Sequence, residues 1–308
     1  MVDPSDIDAA AARIRGRVRV TPTIVLEDGL GLGFPLELKL EHLQHTGTFK
    51  TRGAFNTLLT GPVPEAGIVA ASGGNHGAAV AFAAARLDIP ARIFVPAIAG
   101  PAKIGLIRRA GADLVVTEGA YADAYQASRA YQAETGALEV HAYDGPGTVA
   151  GQGTVAREWE TQGLEADTVL IAVGGGGLIG GAIAWFAGRR RVVAVEPERA
   201  PTLARALQDG PDAEVEVGGI AANSLGARRI GQVAHSLATR HGVESVTVPD
   251  DAIAEARDLL WRELRLLVEP AGACALAALT SGAWRPQAGE RVAVLVCGAN
   301  PAPDPLDG

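Results

Sequence analysis

Thr168 to Gly188 carries no charged residue, and four consecutive glycines, Gly174 to Gly177, interrupt it. The stretch is long enough to span a bilayer. A run of glycines, however, breaks a spanning helix and leaves backbone N–H and C=O groups that lipid does not satisfy. The segment therefore reads as strand, loop and helix inside a soluble domain, with no membrane partner expected. The same glycines leave several N–H groups with no Cβ beside them, just before a helix whose N-terminal dipole favours an anion. That makes the loop a candidate phosphate cradle. The plain alternative is a tight turn, and the entropic cost of four glycines argues against it.

Strand, loop and helix then alternate along the chain. Strands are expected at Leu36–Leu40, Gly67–Ala71, Arg92–Val95, Leu114–Val116, Leu138–His141, Thr168–Val173, Val192–Val195 and Val292–Val296. Helices are expected over Thr48–Leu58 (with Thr48 as its cap), Asn75–Leu87, Lys103–Ala110, Tyr121–Ala133, Val149–Glu160, from Leu178, over Ala252–Leu266 and over Gly272–Leu279. Such alternation predicts an α/β fold with parallel sheets covered by helices. The apolar mass is aliphatic, 48% hydrophobic against 5% aromatic residues, which suits strands buried on both faces. Glycine-rich joints at Ser72–Gly77, Gly174–Gly177 and Cys297–Asn300 follow strands, where ligands of open parallel sheets bind.

The net charge of −8 repels phosphate backbones, so nucleic acid is not an expected partner. Two cysteines, Cys274 and Cys297, make no disulfide framework and suit a reducing cytoplasm. The N-terminus is acidic and lacks an apolar core, so no secretory signal is expected. The last residues, 301–308, are expected to fray, and no regulatory domain is expected beyond Gly308.

Lys50 falls near a helix start after a small-residue turn. A helix N-terminus disfavours a protonated amine and lowers its pKa, and a neutral amine is what Schiff-base chemistry needs. Gly175, Gly177 and Gly180, with Glu196 closing the next strand, also fit a dinucleotide fingerprint. A nicotinamide-dependent dehydrogenase is thus a rival, but it leaves the Lys50 segment unexplained.

Six motifs appear together: Gly47-Thr48-Phe49-Lys50-Thr51-Arg52-Gly53-Ala54, Ser72-Gly73-Gly74-Asn75-His76-Gly77, Gly174 to Leu178, Glu196-Pro197, Glu269-Pro270-Ala271-Gly272-Ala273 and Cys297-Gly298-Ala299-Asn300. In this order and over nearly the whole chain, the sequence resembles the fold-type II pyridoxal-phosphate enzymes. Within them it resembles the threonine and serine dehydratases and serine racemases. The resemblance implies a tryptophan-synthase-β-like fold with two α/β domains and open, mostly parallel, twisted sheets. The large domain would comprise residues 1–66 and 141–308, and the small domain 67–140.

The resemblance also implies roles. Lys50 would carry pyridoxal 5'-phosphate covalently and act as the base at the substrate Cα. Phe49 would pack on the cofactor ring, and Gly174, Gly175, Gly176, Gly177 and Leu178 would hold its phosphate. Asn75 would donate to the ring 3-oxygen; read alone, it is equally a helix N-cap. Cys297 would sit at the pyridine nitrogen, where a thiol with an ordinary pKa near ~8.5 cannot keep that nitrogen protonated. Elimination at Cβ is then favoured over transamination. Ser72, Gly74, Asn75 and His76 would grip the substrate carboxylate. No carboxylic acid is placed by sequence to protonate the leaving hydroxide.

The implied activity is dehydration and deamination of a small hydroxy amino acid such as threonine or serine, by a homodimer. Three departures refine it. Gly73 stands where the racemases carry a serine, so racemisation is expected to be minor. Glu196 and Ala200 match a divalent-cation site of some relatives, but Thr202 replaces its acid. The cation is left open, with Glu196 read as a surface carboxylate. Tyr121 to Tyr125 lacks the arginine that hydroxyaspartate enzymes use, which favours monocarboxylate substrates.

Overall fold

The computed structural model describes residues 1–99, 101–119 and 121–301. The tail expected to fray lies, from residue 302 on, outside the described residues. The strands in chain order are β1 (Thr23–Leu26), β2 (Leu36–Lys39), β3 (Ile68–Ala71), β4 (Ala91–Pro96), β5 (Asp113–Thr117), β6 (Leu138–Glu139), β7 (Thr168–Ala172), β8 (Arg191–Pro197), β9 (Glu244–Val248) and β10 (Val292–Leu295). Among the described residues they form a six-stranded sheet, ordered β1-β2-β10-β7-β8-β9, and a four-stranded sheet, ordered β5-β4-β3-β6. All pairings are parallel except β1 with β2. The short link between these two strands has no room for a crossover helix, so they can pair only antiparallel.

Every residue of β7 and β10 is buried, as parallel strands covered on both faces require. The helices Pro146–Thr161, Gly177–Phe186 and Pro270–Thr280 share the core of the larger sheet through Trp159, Ile179 and Leu276. A second core joins Ile68, Ile93 and Val95 of the smaller sheet to the helix Asn75–Arg86. It also takes in Ala54, Phe55 and Leu58 from the helix Lys50–Thr60. The latter helix therefore packs between the two halves of the molecule.

Two features fix it there. A Cβ on Gly151 would lie 2.6 Å from the Gly53 Cα, so the helices Lys50–Thr60 and Pro146–Thr161 approach at backbone distance. Beside that crossing lies a buried ionic cluster. Arg52 Nε donates to Glu41 Oε1 at 2.6 Å and Nη2 to Glu158 Oε2 at 3.0 Å, while Lys39 Nζ donates to Glu158 Oε1 at 2.7 Å. Burial opposes the charge on Arg52, but Glu41 and Glu158 hold its pKa above the ordinary value.

Several elements were not anticipated: the helix Pro4–Arg13, β1, β9, and the helices Thr202–Asp209, Ala222–Leu225 and Gln232–His241. No helix among the described residues is long and apolar enough to cross a membrane.

Candidate active site

The carboxyl ends of the parallel strands deliver the candidate residues. The turn before Lys50 has positive φ at Thr46 (60°) and Gly47 (69°). It is tied to the loop after β10: Asn300 Nδ2 donates to Thr46 O at 2.7 Å and Ala299 N to Gly47 O at 2.8 Å. A Cβ on Gly47 would stand 2.7 Å from Asn300 Oδ1, so glycine is needed for this closeness as well as for its φ. Thr48 is not the helix cap. Phe49 occupies that position without a side-chain bond, and Thr48 sits buried in a bridge to Gly298.

Lys50 Nζ points into the molecule, donates to Ala142 O at 3.2 Å and lies 5.1 Å from the centre of the Phe49 ring. Its pKa is lowered to about 8, and burial rather than the helix terminus is the main cause; Cys297 and Glu269 oppose it. The amine is therefore more readily neutral near pH 7 than a free lysine would be.

The four glycines follow β7 and start the helix Gly177–Phe186, with Gly176 at φ 92° as its cap. A Cβ on Gly175 would meet the Tyr143 ring at 2.3 Å, and one on Gly174 the Leu225 Cα at 2.9 Å. Side chains are excluded, and the first N–H groups of the helix have no acceptor within it. A cavity joins this loop to Phe49, Lys50, Asn75, Tyr143, Leu178, Ser224, Glu269 and Cys297.

Cys297 lies two residues past the end of β10, and its Sγ donates to Ala271 O at 3.3 Å. Burial first, and then Glu269, push its pKa well above the usual thiol value, so it stays neutral. Asn75 is the first residue of its helix, and Gly74 holds the cap position. The Asn75 side chain is free of capping duty and turns into the cavity. There it donates from Nδ2 to Glu269 Oε1 at 2.6 Å and accepts from Asn300 Nδ2 at 2.8 Å.

The other loop residues stand apart. Ser72, Gly74 and His76 are absent from the cavity lining. Ser72 Oγ accepts from Gly74 N at 3.2 Å. His76 Nε2 lies 2.7 Å from Val140 O, and burial pulls its pKa down to about 3. A neutral, buried imidazole of this kind braces the helix against β6's extension. Glu196 is not a surface carboxylate. It is fully buried and accepts from Leu203 N (2.7 Å), Ala204 N (2.8 Å) and Ser245 Oγ (2.7 Å). Its oxygens cap the helix Thr202–Asp209 and are engaged, which removes the ribose acceptor of the dinucleotide reading.

Glu269 adds a carboxyl group to the cavity. Sequence reasoning noted its Glu-Pro pair without giving it a role. Tyr143, on a loop, and Ser224, in the short helix Ala222–Leu225, were missed, and nothing local in the sequence distinguishes either.

With this geometry in view, residues 14–298 match the family described as "Pyridoxal-phosphate dependent enzyme". The chain belongs to this family. It is 38% identical over 304 residues to a phenylserine dehydratase of Ralstonia pickettii, covering 97% of this chain and 93% of that protein. It is 37% identical to an L-threonine ammonia-lyase of Geobacter sulfurreducens, covering 94% of this chain and 73% of that protein. Among solved structures, it superimposes on maize serine racemase with a TM-score of 0.89 at 31% identity, over 97% and 94% of the two chains. A threonine deaminase of T.th. gives 0.90 at 34%, over 98% and 100%. These are fold-type II enzymes, and the α/β fold with two largely parallel sheets matches theirs.

The family's cofactor fits the cavity. A side-chain-free glycine turn at a helix start suits its phosphate. An amine of lowered pKa lies across the same cavity, with an aromatic ring and a neutral thiol on its walls.

Proposed function

We propose that the chain is a lyase that eliminates water from a 3-hydroxy amino acid and releases a 2-oxo acid and ammonia. The observation that carries this reading is the shared cavity of Lys50, the glycine turn and a neutral Cys297. Gly174 to Leu178 would hold the phosphate of pyridoxal 5'-phosphate through backbone N–H groups, and Lys50 would be its covalent anchor. Bound there, the cofactor supplies a sink for the electron pair left at Cα.

The chain's own groups do the rest. Lys50, once released by substrate, takes the Cα proton at Nζ. Phe49 flanks the ring. Asn75 keeps one amide hydrogen for the ring oxygen while the other holds Glu269. With the cofactor bound, Cys297 would offer no charge to its pyridine nitrogen, which would favour loss of the Cβ hydroxyl as water, balanced by the proton that Lys50 removes from Cα. The resulting enamine becomes an imine and takes up water, giving the oxo acid and ammonia. The carboxylate grip would come from backbone N–H groups at the start of the helix Asn75–Arg86 rather than from His76.

Relatives named for threonine, phenylserine, hydroxyaspartate and serine define the substrate panel. The test is release of oxo acid from these amino acids, with borohydride fixation placing a mass gain on the Lys50 peptide. D-serine exceeding pyruvate from L-serine would replace the lyase with a racemase; a mass gain elsewhere would remove Lys50 as anchor. A homodimer belongs to the same proposal, and light scattering at twice the 31.5 kDa chain mass is the result expected.

A further inference from the structure

Two polar side chains stand at helix starts and cap neither helix. Glu269 holds the N-cap position of the helix Pro270–Thr280 and makes no side-chain cap bond. Asn75, first in its own helix, leaves the cap position to Gly74. Helix starts favour short polar caps, and glutamate is not among them. Both side chains line the cavity instead, and there they meet. A glycine lets the carboxyl group in: a Cβ on Gly298 would stand 2.1 Å from Glu269 Oε1.

From this meeting point a line of hydrogen bonds runs to the turn before Lys50. Glu269 Oε1 accepts from Asn75 Nδ2 at 2.6 Å, and Asn75 Oδ1 accepts from Asn300 Nδ2 at 2.8 Å. The same Asn300 nitrogen donates to Thr46 O at 2.7 Å. The far end sets the direction of the whole line. Thr46 O is a backbone carbonyl and can only accept, so Asn300 must present its nitrogen there. Both hydrogens of that nitrogen are then spent, and Asn75 must turn its oxygen to Asn300. Its nitrogen faces Glu269. A flipped Asn75 amide would set oxygen against oxygen at one contact and hydrogens against hydrogens at the other, losing both bonds. One hydrogen on Asn75 Nδ2 is left over, on a residue that shares its cavity with Lys50 and Cys297.

We infer that Glu269 is a positioning residue: together with Asn300 it holds the Asn75 amide so that an N–H, and not the C=O, is offered to the ring oxygen of the cofactor. The inference rests on the proposed function for the cofactor and deepens it. An N–H donor favours that oxygen in its deprotonated form, whereas a C=O acceptor would favour the hydroxyl form. The deprotonated form absorbs in the visible and the hydroxyl form in the near ultraviolet, so the direction of the amide can be read from colour.

The test uses the full chain loaded with pyridoxal 5'-phosphate or with 3-deoxypyridoxal 5'-phosphate, which lacks the ring oxygen. Two quantities are read: the ratio of the two cofactor dissociation constants, and the ratio of visible to near-ultraviolet absorbance with pyridoxal 5'-phosphate. The wild-type protein should prefer the natural cofactor by about tenfold, the scale of one hydrogen bond to a charged acceptor, and show mainly the visible band. Glu269→Ala should lose most of this preference, leave the affinity for the analogue unchanged and gain near-ultraviolet absorbance. Glu269→Gln should keep both wild-type ratios, because a glutamine oxygen still accepts from Asn75. Asn75→Ala/Glu269→Ala should bind the natural cofactor as Asn75→Ala does, because Glu269 acts through that amide. Asn300→Asp puts an acceptor where Asn75 now meets a donor; it should turn the amide and reproduce the spectral change with position 269 intact.

Equal losses for both cofactors in Glu269→Ala would make the residue merely structural and overturn the inference. So would a Glu269→Gln protein that behaves like Glu269→Ala, since charge and not direction would then matter. If Glu269→Ala does not fold, a wild-type spectrum in Asn300→Asp overturns it equally. Wild-type protein that holds both cofactors equally, with the borohydride adduct still on Lys50, would overturn this inference alone. Wild-type protein that binds neither would overturn the proposed function and the inference with it.

Discussion

Asn75 Nδ2 donates to Glu269 Oε1 at 2.6 Å, joining the loop after the smaller sheet's β3 to the helix start beside the larger sheet's β10. The amide holds a carboxylate that is only 5% exposed. Replacing it by Asn75→Ala should cost about 1 kcal/mol, the scale of one hydrogen bond lost by a buried group. Asn75→Asp should cost more at pH 8, because two adjacent carboxylates cannot both ionise. Its melting temperature should recover as the pH falls toward 5 and one group takes a proton. Thermal melts of the two variants across that pH range check both statements.

Lys50 should make its cofactor adduct faster as the pH rises, with a midpoint near 8. A free lysine would require a pH near ~10.4. Mixing cofactor-free protein with pyridoxal phosphate and following visible absorbance from pH 6.5 to 9.5 gives that midpoint. The same shift has a stability consequence. Between the folded pKa and ~10.4 the unfolded chain keeps a proton that the folded chain has lost, so stability of the cofactor-free protein rises with pH in this window. The burial penalty is fully present below about pH 8. Lys50→Met should lack both the adduct and this contribution to the pH dependence.

Glu41→Ala should be among the most destabilising single changes in the chain. It strips one of two carboxylates from Arg52, a side chain only 1% exposed. Breaking such a buried pair costs about 3–5 kcal/mol, and the remaining bond to Glu158 argues for the lower end. Because Arg52 sits two residues from Lys50 on one helix, cofactor affinity should fall with stability. Denaturant unfolding with and without cofactor measures both.

Gly73→Ser should fail to install racemase activity on its own. A Cβ at position 73 would stand 2.5 Å from the Ala99 Cβ and 3.1 Å from Val95 Cγ1. The loop must shift before a hydroxyl can be placed. D-serine formed from L-serine by this variant should stay below pyruvate. Pairing it with Ala99→Gly relieves the closest contact, so any gain in racemisation should come from the double variant. Chiral chromatography of the products decides it.

Where local chemistry carries the information, the reading came close. The apolar run before Gly174 and the glycines themselves imply strand, turn and helix in that order, and β7 with the helix Gly177–Phe186 is what forms. The helix Pro4–Arg13 was legible too. Asp3 and Asp6 make a capping box with Pro4 at the first position, the usual start signal. Residues 198 to 249 held short helices and β9, whose half-buried pattern offers no strong period.

The sequence by itself determined the strand–helix alternation around both sheets, the candidate amine at Lys50 and the candidate phosphate turn at Gly174–Gly177. Periodicity, turn chemistry and motif spacing are properties of neighbouring residues, so they survive without a fold. Tertiary structure alone decided that Glu269 faces Asn75 across 194 positions of chain, that Glu196 is buried and spent on a helix start, and that burial lowers the Lys50 pKa. Solvent exclusion and electrostatic coupling depend on which distant segments are packed together, and no short window of sequence contains that distance.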